Sequence, residues 1–149
     1  MYVPVREVVD NERNPRRWCG MVLRTESGMS SEFIGTVESV ELEQGIEDRK
    51  QYHVVIDPED ITVKGATGRM HEWIPMSPKA KEDALPQGCV MDRYLLQLEI
   101  VIKEAKKKAT VKEALQLMVG KKFKFSKIKL GKDFSGHPAK EYIVPVQLL

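Results

Sequence analysis

The long strand predicted over residues 32–43 most constrains the fold, because its apolar side chains change phase halfway along. The small or apolar residues of one face are Phe33, Gly35 and Val37 in the first half, then Val40 and Leu42 in the second. A one-residue shift moves side chains to the opposite face of a sheet, so a single buried face requires a bulge or coil near residues 38–39. A bent strand with a glycine is typical of small closed barrels.

The remaining periodicities predict four more strands and two helices. The strands cover residues 51–57, 69–76, 121–130 and 141–148, and the helical stretch covers residues 90–119. Within it, apolar spacing predicts a helix over 90–107, and a capping box at Thr110 and Glu113 begins a short second helix that ends at Gly120. This order predicts a mainly β fold with inserted helices, a five-stranded Greek-key barrel. An open α+β sheet is the alternative.

Length and composition indicate one intracellular domain. The chain has 149 residues, 42% of them hydrophobic, and contains no apolar run of the roughly 20 residues that a membrane span needs. Its start lacks a secretory signal, and its two cysteines, Cys19 and Cys89, do not form a disulfide framework. We expect a cytoplasmic protein without membrane contact, with residues 32–149 as the barrel domain and residues 1–31 as an N-terminal extension that packs on it. The oligomeric state is left open.

Charge is distributed unevenly along the chain. The net charge is only +2, yet residues 101–140 contain twelve lysines and three acidic residues, a net charge of +9, which leaves −7 elsewhere. One cationic side would attract anionic partners. A solvated face without a partner is the alternative interpretation.

The closing hairpin concentrates part of this charge. Its lysines are Lys122, Lys124, Lys127 and Lys129 in the first strand and Lys132 in the loop, which also contains Phe134. A cationic strand beside an aromatic residue suits a sugar-phosphate backbone and stacked bases, whereas lysines on an edge strand also prevent aggregation. The apolar phase shifts again between Phe125 and Ile128, so all the strand lysines face solvent together only if a bulge lies there.

A second group of candidate residues lies on the two middle strands. His53, Arg69, His71 and Trp73 share the phase opposite the core, and Arg49 and Lys50 precede the first of these strands. A Trp between an Arg and a His offers a platform for a base, if Trp73 faces outward rather than into the core.

The sequence provides no pattern for catalysis or for a cofactor. It lacks a phosphate-binding glycine loop, and its three histidines (His53, His71 and His137) have no metal-ligand spacing. We therefore expect that the protein is not an enzyme and that it binds neither a metal nor a cofactor.

The order of elements resembles the OB fold of single-stranded nucleic-acid-binding proteins over roughly residues 30–149. The first strand of the resemblance is Glu32-Phe33-Ile34-Gly35-Thr36-Val37, followed by strands 51–56 and 69–74. The helical stretch 90–119 comes next, and the last pair of strands is Gly120-Lys121-Lys122-Phe123-Lys124-Phe125 with 142–146. It implies ligands across the second and third strands, held by the flanking loops, and hence contacts from Arg49, Lys50, His53, Arg69, His71, Trp73, Lys132 and Phe134.

The leading hypothesis is non-enzymatic binding of single-stranded DNA, or RNA, with little sequence preference, as in DNA replication or repair. The hairpin lysines would contact phosphates, and Trp73 and Phe134 would stack on bases. The alternative is a protein-protein interaction module with a solvated lysine-rich edge. Glu43, Glu47, Asp48 and Asp57 favour the alternative, because they would repel phosphates.

Overall fold

Two sheets form in the computed structural model, which describes residues 7–9, 22–24, 32–44, 49–59, 62–64, 68–131 and 141–149. The strands are β1 (Glu7–Val9), β2 (Val22–Arg24), β3 (Glu32–Gln44), β4 (Lys50–Pro58), β5 (Thr62–Lys64), β6 (Met70–Pro75), β7 (Lys122–Lys129) and β8 (Glu141–Leu148). Between β6 and β7 lie helix α1 (Val90–Val101), a 3-10 helix (Lys103–Lys107) and helix α2 (Val111–Gln116).

The main sheet has five strands in the order β6-β4-β3-β7-β8, and all its neighbours are antiparallel. A smaller sheet has the order β2-β1-β5. The chain is thus mainly β with helices inserted before the last two strands, as predicted. Most of the N-terminal extension lies outside the described residues. Of its two described strands, β1 pairs with both β2 and β5.

The predicted bulge in β3 is confirmed. Val37 pairs with Ile56 and Ser39 with Val55, so Glu38 is the extra residue on β3. Burial follows the two phases: Val37 and Val40 are buried on either side of the exposed Glu38. The bulge therefore keeps both halves of a 13-residue strand packed on one core.

Gly35 is required by the close approach of β4 to β3. A Cβ atom at this position would lie 2.6 Å from Cγ2 of Ile56 and 3.0 Å from the carbonyl oxygen of Asp57. Both neighbours belong to the packed interior or the backbone, so neither can move away cheaply.

The helices close one side of the core. Met91, Tyr94 and Leu98 of α1 are fully buried. Cys89, a free thiol, caps α1 by accepting a hydrogen bond from Asp92 N at 3.4 Å. In α2, Thr110 Oγ1 accepts from Glu113 N at 3.2 Å, as the capping box predicts.

The single helix predicted over residues 90–107 is confirmed over 90–101 and is wrong beyond that point. Helix α1 ends at Val101 because Ile102 adopts an extended conformation (φ −129°, ψ 98°) that accompanies burial of its side chain. The chain continues as a 3-10 helix that buries Ala105 and leaves its lysines exposed. No helix in the described ranges has the length and apolar character needed to cross a membrane.

The edge strands β6 and β8 are linked by a side chain. The successive antiparallel pairings make these two strands run in the same direction, and in the described part of the chain no backbone ladder joins them. Glu72 Oε1 accepts from Trp73 N at 2.9 Å on β6, and Oε2 accepts from Ile143 N at 2.8 Å on β8. Two N–H donors cannot pair with each other, so the carboxylate connects them.

Burial makes this link sensitive to protonation. Glu72 is only 5% exposed, and its burial raises the pKa of the carboxyl to about 8, against the opposing effects of the two backbone donors and of Lys127. The buried hydroxyl of Tyr94 has no hydrogen-bond partner among the described residues, and its pKa is raised by burial and by the charge of Glu72. The core near the β6–β8 seam therefore contains two buried polar side chains, Glu72 and Tyr94.

We expect Gly35→Ala to lower the free energy of unfolding by roughly 1–3 kcal/mol, because the added methyl group overpacks the core. Ile56→Ala removes the Cγ2 atom in its path, so the double variant should lose less stability than the sum of the single variants. Ile56→Val keeps Cγ2 and serves as the matched control without such relief. Urea unfolding is measured for wild type and five variants, namely the three single variants and the double variants of Gly35→Ala with Ile56→Ala and with Ile56→Val. Strict additivity in both pairs would contradict the packing argument.

We expect stability to fall as pH rises from about 4.5 to about 8, because only the folded state holds the Glu72 proton in this window. Each pH unit then costs about 1.4 kcal/mol. Glu72→Gln should be less stable at pH 5, because one backbone donor loses its acceptor, but should show a flatter pH dependence. Glu104→Gln, at an exposed position, should keep the original slope. Parallel slopes for wild type and Glu72→Gln would refute this assignment.

Candidate functional site

Three aromatic rings form a stack on the outer face of β4 and β6. His53 pairs across the sheet with Trp73, and His71 lies two residues before Trp73 on β6. The ring centroids of His53 and Trp73 are 4.5 Å apart, with an interplanar angle of 11°, and those of His53 and His71 are 4.9 Å apart. Alternation along the two strands brings these rings together, as the sequence predicts for neighbouring strands.

Glu43 on β3 anchors the stack. Its Oε1 accepts from Trp73 Nε1 at 2.9 Å and lies 3.3 Å from His53 Nδ1. On the other side of that ring, His53 Nε2 is 2.7 Å from His71 Nδ1. With neutral rings, the consistent assignment has His53 donating to Glu43 and accepting from His71. We name Glu43, His53, His71 and Trp73 the ring cluster.

Electrostatics within the ring cluster favours a neutral His53. Burial lowers the pKa of His53 most strongly, the Glu43 carboxylate raises it, and His71 lowers it. Sequence reasoning identified both histidines but treated Glu43 as a phosphate-repelling residue. The predicted bulge could have revealed the contact between Glu43 and His53. It sets Glu41 opposite His53 and therefore places Glu43 diagonally across from the His53 ring.

Trp73 lies on the non-core face and is nevertheless buried, with 4% of its surface exposed. Its indole N–H is bound to Glu43, and one ring face is stacked on His53. Little of the indole is accessible to a base in this arrangement. This resolves the orientation that the sequence left open, and it reduces the role that stacking on Trp73 can have.

Arg69 is held by acidic side chains. It forms ion pairs with Glu38, the bulge residue of β3, and with Asp57 at 3.3 Å. A phosphate would have to compete with both carboxylates for this guanidinium. Arg49 and Lys50, at the start of β4, are exposed.

The hairpin lysines do not form one row. β7 pairs without interruption from Phe125 to Lys129, and the extra residue of the hairpin is Val146 on β8, where Lys124 faces Gln147 and Phe125 faces Pro145. No bulge therefore lies within β7 between Phe125 and Ile128, although the apolar phase does shift there, since Ile128 packs against the core and Leu130 is buried.

Uninterrupted alternation divides the four strand lysines between two faces. Lys122 and Lys124 are on the face of β7 that faces away from the buried Phe123 and Phe125. Lys127 and Lys129 are on the same face of the strand as the two phenylalanines. Lys122 pairs with Glu59 at 2.8 Å and Lys124 with Glu32 at 3.8 Å. The charge of Lys127 lowers the pKa of Glu72, against the larger effect of burial. Lys132 and Phe134 lie outside the described residues.

Sequence reasoning about single sites missed a second group of cations between the helices. Lys103, Lys106, Lys107, Lys108 and Lys112 are all exposed, and no ion pair involving them is found among the residues that the structure describes. We name these five residues the helical lysine patch. The net charge of residues 101–140 was the signal for it, but the alternating hairpin was the more conspicuous pattern.

No metal centre is formed by the described residues, because no three of their histidine, cysteine, aspartate or glutamate side chains are grouped as ligands. Comparison of the chain with family models, curated proteins and solved structures gives no match. We therefore infer function from the geometry and charge of the surfaces described above.

We expect Glu43→Gln to lower the pKa of His53 further, because the carboxylate favours the imidazolium form while the amide does not. Glu41→Gln is the matched control, since Glu41 raises the same pKa through a weaker interaction. NMR titration of the imidazole C–H resonances measures both changes. An unchanged or higher His53 pKa in Glu43→Gln would show that Glu43 does not set the charge of the ring cluster.

Proposed function

We propose that this chain binds single-stranded DNA, or RNA, without catalysis and with little sequence preference. The observation that carries the proposal is the helical lysine patch: four exposed lysines within residues 103–108 and a fifth at residue 112. Clustered cations that are not neutralised by neighbouring acids attract a polyanion and release its counterions. Such contacts recognise phosphates rather than bases.

The topology supports an OB-like interpretation of the main sheet. The strand order β6-β4-β3-β7-β8, with helices inserted before the last two strands, is the order expected for that fold. The parallel approach of β6 and β8, bridged by Glu72, is consistent with a barrel that closes at this seam.

The hairpin lysines and Arg69 support the proposal less directly than the helical lysine patch does. Lys122, Lys124 and Arg69 each interact with carboxylates. Exposed ion pairs contribute only about 0–1 kcal/mol, so a phosphate can replace the carboxylate, but the exchange yields little net affinity. We therefore assign these residues a secondary contribution and expect charge, more than stacking on Trp73, to determine affinity.

A protein-protein interaction module is the second candidate function. The observation that favours it is the compensated state of the hairpin, in which Glu59 and Glu32 neutralise Lys122 and Lys124. β7 lies between β3 and β8, so these lysines do not protect a sheet edge as the sequence suggested, but as exposed ion pairs they need no ligand. This candidate predicts no binding of oligonucleotides at low salt.

We expect a fluorescein-labelled dT oligomer to bind at low salt, with log K falling against log salt concentration with a slope of about −3 to −4 if all five patch lysines contact phosphates. Lys106→Glu with Lys107→Glu should weaken binding by roughly tenfold or more and reduce the slope by at least about 1.4, two contacts at about 0.7 each. Fluorescence anisotropy measures both quantities.

The matched control is Lys79→Glu with Lys81→Glu, which reverses the same number of charges at exposed positions outside the patch. It should change affinity much less. Absence of binding at low salt would exclude the proposed function, and equal losses in the two double variants would exclude the helical lysine patch as its site.

A further inference from the structure

The second half of β3 has an edge that β7 does not cover. β7 pairs with β3 only over Glu32–Thr36, whereas β4 pairs with β3 as far as Gln44. Beyond the bulge, β3 therefore has a partner strand on one side only in the described part of the chain. Unpaired strand edges present backbone donors and acceptors to any extended polypeptide.

The direction of these backbone groups follows from two hydrogen bonds. Gln116 Nε2 donates to the carbonyl of Val40 at 2.7 Å, so Val40 faces helix α2 and not β4. On β4, the carbonyl of Lys50 accepts from Met76 N at 2.9 Å and therefore faces away from β3. Because consecutive residues of a strand face opposite sides, the N–H and C=O of Leu42 also point away from β4.

A groove runs beside this edge. It has a volume of about 500 Å³ and lies between β3 and α2, with Val40, Leu42, Tyr52 and Val119 as apolar lining. Leu42 is 46% exposed, although it follows the core phase of the strand. An exposed apolar side chain, an outward-facing amide and an outward-facing carbonyl thus occur at one residue.

The groove's charges are unfavourable for a polyanion. Glu38 and Glu41 line it on the β3 side, against Lys112 on α2. A phosphate backbone would be repelled along that wall, whereas a peptide brings backbone N–H and C=O groups in alternation. The side-chain amide of Gln116 already donates to the Val40 carbonyl, in the way that a backbone N–H of a partner strand would.

We propose that an extended segment of a partner protein adds to β3 as a strand, pairing its backbone with Leu42 and placing an apolar side chain in the groove beside Leu42 and Val119. This mode of recognition obtains affinity from main-chain hydrogen bonds and specificity from alternate side chains. The groove lies within the size range of about 300–1,000 Å³ that binding sites commonly have. The groove shares Lys112 with the helical lysine patch, but the inference does not require that the patch bind nucleic acid.

The test uses a displayed library of linear octapeptides selected on the full chain. We expect enriched peptides to lose at least about tenfold in affinity for Leu42→Pro, which removes the outward-facing N–H, and less for Leu42→Ala, which keeps it. Leu42→Pro should fold, because this N–H does not belong to the β3–β4 ladder. Glu41→Pro, which removes an N–H facing β4, should be destabilised by contrast.

Amide hydrogen exchange on the wild-type chain gives an independent measurement that needs no variant. The Leu42 amide should exchange rapidly in the free protein and slowly with a selected peptide, while the Glu41 and Glu43 amides are protected in both states. Failure to enrich any peptide, equal binding to Leu42→Pro, or a protected Leu42 amide in the free protein would overturn the proposal. Protection by a dT oligomer alone would identify nucleic acid as the occupant instead.

Discussion

The hydrogen bonds of Glu72 are the interaction on which the arrangement of the main sheet depends. Trp73 N and Ile143 N face the same seam as donors, and only an acceptor between them can hold β6 beside β8. Placing a carboxylate there has an energetic cost, since burial raises its pKa to about 8. The benefit is that β6 is held at the position from which it presents His71 and Trp73 on the outer face.

The bulge at Glu38 connects the core to the surfaces. One extra residue keeps Val37 and Val40 in the same core, and the pairing of β3 with β7 ends just before it, where Thr36 pairs with Lys122, the first residue of β7. The extra residue is Glu38 itself, and its carboxylate forms an ion pair with Arg69. The shifted register places Glu43 beside His53. A local change in backbone geometry thereby contributes to the geometry of the ring cluster.

Carboxylates pair with some of the lysines of this molecule and leave others exposed without an ion pair among the described residues. The hairpin has the more regular lysine pattern, yet Glu59 and Glu32 approach two of its lysines. The helical lysine patch has no regular spacing, but its cations remain exposed. Affinity for an anionic polymer depends on net charge at the point of contact, so the patch is the stronger candidate.

The sequence by itself determined the strand phases, the bulge near residue 38, the capping of α2 and the adjacency of His53, His71 and Trp73, because each follows from alternation or spacing within one or two neighbouring elements. Only the tertiary structure decided the burial of Trp73, the ion pairs of Arg69 and Lys122, and the bulge at Val146 rather than within β7. These features depend on which distant strand lies opposite. Residue spacing along a chain contains no information about a carboxylate that arrives from sixty residues away, as Glu59 does at Lys122.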